Sequence, residues 1–355
     1  MPALVLAAAL ALAGCAADDA PTSPTSTDTA TDARSATDTG DEMAGDTPER
    51  GSDEHVDPTL TLVATLAPIT DLVARVGGER VEVSSMVPPG ADAHTYEPRP
   101  QDVVGLSAAD AYLGVGLALN DGALRLATEN LPDDARLVLL GEAALDEDDL
   151  VFDHGHSHDD DHGHSHDDDD GLGPNPHVWT SVVNAIRLVD AIEATLVELD
   201  PDGASVYAAN ADGLRAELDE LHLEIRDAAV TIPATNRTLV AYHDAWTYFA
   251  RDYGLDFATA IQPADYAEPS ANEVRRLIDR IRELDVEVVF GSEEFPTPVL
   301  ETIAEETDAR YVANLADDVL PGDPGDPEHT YPAMMRRNAV AIIGGLGGDV
   351  SLLER

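Results

Sequence analysis

Three histidines stand apart in this chain, each where a short apolar run gives way to a loop or a turn: His94, His177 and His243. His94 lies in Val87-Pro88-Pro89-Gly90-Ala91-Asp92-Ala93-His94-Thr95-Tyr96-Glu97-Pro98, where prolines and a glycine enforce an irregular loop after a strand. His177 lies in Asn175-Pro176-His177-Val178-Trp179, directly before a helical pattern, and His243 ends the strand-like run Leu239-Val240-Ala241-Tyr242. Folds of alternating strands and helices place their sites at such strand-end loops. Three imidazoles so placed suit a borderline divalent metal such as Zn²⁺, which needs neutral, preoriented rings. Each histidine taken singly also fits a surface or hydrogen-bonding role, and spacing alone leaves that choice open.

A second, denser group runs from Asp153 to Asp170 and carries His154, His156, His158, His162, His164 and His166 among eight Asp. Without apolar residues from His154 to Asp170 the segment has nothing to pack and is expected to be a mobile surface loop. Its alternation of His with Asp favours metal contact over a merely solvated insert. Ordering so many residues costs about 1 to 2 kcal/mol each, so the expected role is a low-affinity collector or sensor and not the tight site. His55, His222 and His329 fall outside any pattern and read as surface residues.

The elements that must position the three histidines are legible as strands alternating with amphipathic helices from Thr59 onward, the signature of an α/β fold with mainly parallel sheet. Strands are expected at Thr59–Thr65, Val81–Met86, Ala111–Leu119 and Arg136–Leu140, with a helix over Ile69–Val76. Val182, Ile186, Val189, Ile192 and Leu196 recur at helical spacing, as do Leu214, Leu218, Leu221 and Ile225 beyond the Asp200-Pro201-Asp202-Gly203 break. The helix at about Ala204–Ala229 would run roughly 39 Å, long enough to join two lobes. Strands then return at Thr238–Tyr242, Val286–Phe290 and Arg310–Ala313, with helices at Ala245–Tyr253, Ala271–Leu284 and Pro298–Glu306 and a last one from Tyr331. The expected organisation is a leader at 1–15, a tether at 16–57, a first lobe at 58–203, a linking helix at 204–229 and a second lobe at 230–355.

The 355 residues, 43% of them hydrophobic, suffice for a large core. Formal charge is −50, from 70 acidic residues against 20 basic ones, all of the latter Arg. No positive face can be assembled for phosphate contact, which excludes ordinary nucleic-acid binding. Such acidity suits a salty milieu that screens self-repulsion, with lineage composition as the competing explanation. At the N-terminus an apolar stretch, Ala3 to Ala13, is too short to span a bilayer and reads as a signal peptide, although no Arg or Lys precedes it. Residues 16–57, with twelve acids and two Arg among Thr, Ser, Ala and Pro, cannot bury enough surface to fold and are expected to be a flexible tether with a reach of about 35 Å.

The end of the leader, Leu12-Ala13-Gly14-Cys15, resembles the lipobox of bacterial lipoproteins, and Cys15 is the single cysteine of the chain. That resemblance implies a lipid anchor at Cys15 on the outer face of the cell membrane. The segments around the three histidines resemble the metal-binding substrate-binding proteins of zinc and manganese ABC importers. Ala91-Asp92-Ala93-His94-Thr95-Tyr96-Glu97-Pro98 is similar to that family's D-P-H-x-Y-E-P, and Asn175-Pro176-His177-Val178-Trp179 to its D-P-H-x-W. Tyr242-His243-Asp244-Ala245-Trp246 resembles its strand-end histidine before an aromatic helix, and Ala267-Glu268-Pro269-Ser270 its E-P-S turn. The likeness runs from about Leu60 to Leu346.

The family implies two lobes of parallel sheet and helices joined by one long rigid helix, with the metal in the cleft between them. Its fourth ligand is a late carboxylate, which falls on Asp318 in Leu315-Ala316-Asp317-Asp318-Val319-Leu320, with Asp317 as the alternative. A histidine at the third position goes with zinc in this family and a Glu with manganese, so His243 favours Zn²⁺ and leaves Mn²⁺ as the alternative. A comparable His-rich loop marks the zinc members. Ala93 stands for the usual Pro, Asn175 for an Asp, and Ser292, beside Glu293 and Glu294, for a frequent Glu. The implied partners are an ABC permease transmembrane subunit with its ATPase, and the implied state is a monomer. A metal-binding adhesin on the same fold is an alternative. A three-His zinc hydrolase using Asp318 as base is another, weakened because no H-E-x-x-H helix is present.

Overall fold

Short runs rich in Val, Leu and Ala form two sheets in a computed structural model, which describes residues 58–152, 173–260, 270–292 and 298–354. Cys15, the tether, the His/Asp-rich loop and Glu293–Glu294 lie outside the described residues. The chain runs β1 (Leu60–Ala64), α1 (Ala67–Gly77), β2 (Val81–Ser85), α2 (Pro100–Ser107), β3 (Ala111–Gly114), α3 (Asp121–Asn130), β4 (Arg136–Leu139), α4 (Leu140–Ala144) and α5 (Val182–Leu199). It continues with α6 (Ala204–Ala229), β5 (Thr238–Ala241), α7 (Thr247–Tyr253), β6 (Asp256–Ala260), α8 (Ala271–Glu283), β7 (Val288–Ser292), α9 (Pro298–Thr307), β8 (Arg310–Leu315) and α10 (Tyr331–Gly345).

Both sheets are wholly parallel and share one plan, β2-β1-β3-β4 in the first and β6-β5-β7-β8 in the second. Val63 of β1 sits opposite Ser84 on one side and Tyr112 on the other. β3 and β7 are buried along their whole length, as expected of parallel strands covered by helices on both faces. In each sheet the strand order reverses between the first and third strands, and the crevice at the carboxyl ends there is where such folds bind ligands.

The long helix forms where the sequence predicts it. Tyr207, Ala211, Leu214, Leu218, Leu221, Ile225 and Ala228 line its buried side, packed against α1, α5 and α10. Each buried Leu or Ile contributes about 1.5 to 3 kcal/mol, and this stripe belongs to one core that continues from β1 through α5 to α10. A smaller apolar cluster around Val240, Leu277, Ile281, Val289 and Ile303 packs α8 and α9 on the second sheet. The elbow before α6 is fixed by Asp200, which accepts from Arg80 Nε at 2.8 Å and Tyr207 Oη at 2.6 Å. Burial works to raise the Asp200 pKa, and these donors outweigh it and hold the carboxyl below the usual range. Gly203 completes the elbow because a Cβ there would fall 2.5 Å from Asp200 Oδ2 and 2.6 Å from Arg80 Nε.

Several boundaries differ from the sequence reading. β3 stops at Gly114 and not at Leu119, because Gly116, Leu117 and Ala118 turn left-handed at φ of 81°, 51° and 58°. α2, α3, α4 and β6 are additional elements, and β7 begins two residues later than Val286. His222 and His329 are half-buried and not free on the surface: His222 Nδ1 lies 3.2 Å from Tyr253 Oη, and His329 Nδ1 lies 3.1 Å from the Pro321 carbonyl. No helix among the described residues is long and apolar enough to cross a membrane.

Candidate metal centre

His243 stands one residue past Tyr242, whose amide donates to Phe290 O at 2.7 Å and so extends β5 along β7. The turn that follows is filled by Ala245 and Trp246, both buried. His94 belongs to the loop after β2, where Asp92 builds a tight turn: its Oδ1 accepts from His94 N at 2.8 Å and its Oδ2 from Thr95 Oγ1 at 2.9 Å. Tyr96 closes the loop by donating to Asp102 Oδ2 at 2.6 Å.

His177 is placed by Asn175. The Asn175 Oδ1 accepts both from His177 N at 3.0 Å and from His177 Nδ1 at 2.9 Å, while Asn175 Nδ2 donates to Asp244 O at 2.7 Å. The amide orientation follows from these partners, and it settles the tautomer: Nδ1 carries the proton and Nε2 presents a lone pair. Trp179 then donates from Nε1 to Asp317 O at 2.7 Å, and its own carbonyl accepts from Tyr331 Oη at 2.6 Å.

The three rings converge. His177 Nε2 lies 2.8 Å from His94 Nε2 and 2.7 Å from His243 Nε2, and one nitrogen from each ring falls within 4.8 Å of the others. A tetrahedral ion with bonds of 2.0 to 2.1 Å separates its nitrogens by about 3.3 Å, so a widening of about 0.5 Å around His177 makes room for one. Burial pushes the His94 imidazole from 6.5 down to about 2, with His243 adding to the effect, and burial holds His177 well below 6.5. All this keeps the two rings neutral at physiological pH, the state that binds metal.

Asp318 approaches from the turn after β8 and accepts from Ala93 N at 3.3 Å through Oδ2, beside His94. It is 6% exposed, and it is not part of the close histidine group. Asp317, also buried, accepts from Ser292 Oγ at 3.0 Å through Oδ1. The sequence reading thus named three residues that do meet, and it missed Asn120, whose amide donates to Ala93 O at 2.6 Å and to Tyr96 O at 3.2 Å. An Asn before Asp121-Gly122 signals a helix cap, yet nothing in its spacing reveals a reach of 27 residues back to Ala93.

The family model described as ZnuA, zinc-uptake complex component A periplasmic, matches residues 62–345. The chain belongs to this family. Among its relatives, the manganese-binding lipoprotein MntA of Halalkalibacterium halodurans is 30% identical over 287 residues, 81% of this chain and 88% of that protein. The iron-binding protein YfeA of Yersinia pestis is 29% identical over 289 residues, 81% of this chain and 86% of that protein. Among solved structures, the periplasmic zinc binding protein TroA from Treponema pallidum superposes with a TM-score of 0.71 at 25% identity, covering 81% of this chain and 99% of that one. The expected architecture of two parallel sheets with surrounding helices and one long helix is therefore that of the family. ZnuA-family proteins are metal-uptake components and not enzymes, so the hydrolase alternative falls. The relatives are named for three different metals, so membership gives a metal-binding role and leaves the metal to the chemistry of the site.

Proposed function

We propose that this chain is the extracytoplasmic substrate-binding protein of an ABC-type importer and that its cargo is Zn²⁺, bound by His94, His177, His243 and Asp318. The observation that carries the reading is the convergence of three Nε2 atoms from loops 66 and 83 residues apart. Three neutral nitrogen donors and one carboxylate make a borderline set, which suits zinc better than the oxygen-rich shells that manganese prefers. Four protein ligands leave no open position for a reacting water, as befits a carrier. The contact of Asp318 Oδ2 with Ala93 N at 3.3 Å holds this carboxylate beside the loop that carries His94.

In this reading Cys15 is lipidated and residues 16–57 tether a monomeric binding domain to the membrane, where it hands metal to a permease subunit with its ATPase. A metal ABC transporter lipoprotein of Streptococcus mutans, SloC, 28% identical over 298 residues, supports that partnership. The histidines of 154–166 collect metal at lower affinity. Manganese is the second reading, favoured by the name of the MntA relative.

Affinity alone does not separate the two, because nearly any nitrogen site binds Zn²⁺ more tightly than Mn²⁺. The test is uptake in chelator-starved cells lacking the protein. Wild type is expected to restore Zn²⁺ accumulation and His243→Ala to fail. A deletion that lowers manganese uptake alone makes the zinc assignment wrong.

A further inference from the structure

We propose that Asn120 is the positioning residue for His94, acting by holding the carbonyls on both sides of it. The inference rests on the metal-site reading above and adds the device that aims the His94 ring. Asn120 Nδ2 donates to Ala93 O at 2.6 Å and to Tyr96 O at 3.2 Å, so its amide straddles the His94 residue. Its Oδ1 meanwhile accepts from Ala123 N at 2.7 Å and caps α3. That acceptor contact fixes which end of the amide is which: oxygen faces the helix, and the two N–H donors face the loop.

Asn120 is itself delivered by a turn built at some conformational cost. Gly116, Leu117 and Ala118 take φ of 81°, 51° and 58°, and two of the three carry a Cβ that disfavours this region. The turn persists because it is over-determined. Leu117 N donates to Glu142 Oε1 at 2.9 Å, Leu119 N donates to Gly116 O at 3.0 Å, and Leu117 and Leu119 are buried. The Glu142 carboxylate lies so close over Gly116 that a Cβ there would sit 2.0 Å from Oε2. Strain of this kind, held in place by surrounding contacts, accumulates where a side chain must be aimed.

The peptide at Ala93 is gripped at both ends, its N–H by Asp318 and its C=O by Asn120. Asn120 thereby keeps His94 in register with His177 and His243.

One substitution separates the two jobs of this side chain. Asn120→Asp keeps an oxygen for the cap, a position where Asp serves as well as Asn, and removes both donors to the loop. Asn120→Ser keeps a capping hydroxyl without the added charge. Zn²⁺ affinity of the full chain is measured for wild type, both variants, His94→Ala, and both variants in the His94→Ala background, with Co²⁺ spectra and the unfolding midpoint of metal-free protein. Loss of an outer-shell partner of a metal ligand lowers affinity about 10- to 100-fold. That loss is expected for both single variants, with an altered Co²⁺ spectrum, an apo midpoint close to wild type, and no further loss once His94 is absent. Wild-type affinity in either variant, or an equal loss in the His94→Ala background, overturns the proposal. Absence of tight Zn²⁺ binding in wild type, or its survival in His94→Ala, is a different result that sinks the metal-site reading first.

Discussion

His94 and His177 touch at their Nε2 atoms and are held in opposite ways. The segment around His177 precedes α5 in the sequence, yet it is stitched to the second half of the molecule. Asn175 Nδ2 donates to Asp244 O, Tyr248 Oη to Asn175 O, Trp179 Nε1 to Asp317 O, and Tyr331 Oη to Trp179 O, all at 2.6 to 2.7 Å. Thr180 Oγ1 adds a contact of 2.6 Å to Ala245 O. His94, by contrast, sits in a loop braced by Asn120, Asp92 and Tyr96 from its own half, and it meets the second half through Ala93 N and Asp318 at 3.3 Å. The difference teaches that position in sequence and mechanical attachment diverge. His177 is tied to the second half of the molecule by these contacts, and His94 is braced from the first.

Removing either ring is the largest perturbation and the sharpest way to break the comparison. His177→Ala and His94→Ala are both expected to lower Zn²⁺ affinity beyond the 10- to 100-fold typical of outer-shell changes. Only His177→Ala should also lower the unfolding midpoint of the metal-free protein by several degrees, because it empties a buried position. Equal midpoints for the two variants would erase the distinction between a stitched and a braced ligand.

Asn175→Ala comes next. It removes the amide that bonds the Asp244 carbonyl and the acceptor that bonds the His177 amide and Nδ1, at about 1 to 3 kcal/mol for buried polar groups, and it loosens the orientation of His177. Chemical denaturation and competitive titration should therefore both move. Trp179→Phe keeps the ring and removes the donor to Asp317 O, so denaturation should show a loss of about 1 to 3 kcal/mol and titration a smaller change in affinity.

The smallest expected effect is on the pH dependence of stability. Burial depresses the pKa of both rings below the unfolded value near 6.5, so below that pH the unfolded chain takes up protons that the folded one refuses. Their contribution is fully present above pH 6.5 and is lost as pH falls toward the folded pKa, which for His94 is about 2. Between pH 7.5 and 5 the unfolding midpoint of the metal-free His177→Gln protein should fall less steeply than that of wild type, by a few degrees. His94→Gln should recover a similar share of the slope, since burial keeps both folded rings neutral throughout this window.

What was legible in the sequence follows from periodicity and residue type. Leu214, Leu218, Leu221 and Ile225 announce α6 because burial on one side imposes the helical repeat, whereas the three histidines are singled out by the resemblance of their segments to the family's motifs, since spacing alone leaves surface roles open. The apolar run from Ala111 to Leu119 misleads by five residues, since Leu117 and Leu119 are buried in a left-handed turn as completely as they would be in a strand. β6, five residues beginning with an acid, carries too little pattern to separate from loop. Of the residues that orient the ligands, Asn175 is visible as a departure from the family motif, and Asn120 is not. Asn120 and Asn175 act through hydrogen bonds to residues 27 and 69 positions away, and no spacing rule encodes such pairs.

The central claim is that His94, His177, His243 and Asp318 surround one ion. X-ray absorption on the full chain loaded with a single equivalent of Zn²⁺ tests it most directly. The expected spectrum has three imidazole nitrogens and one oxygen at about 2.0 to 2.2 Å, and it loses one imidazole in His243→Ala. A wild-type spectrum that His243→Ala leaves unchanged would show that the metal lies elsewhere and contradict the account.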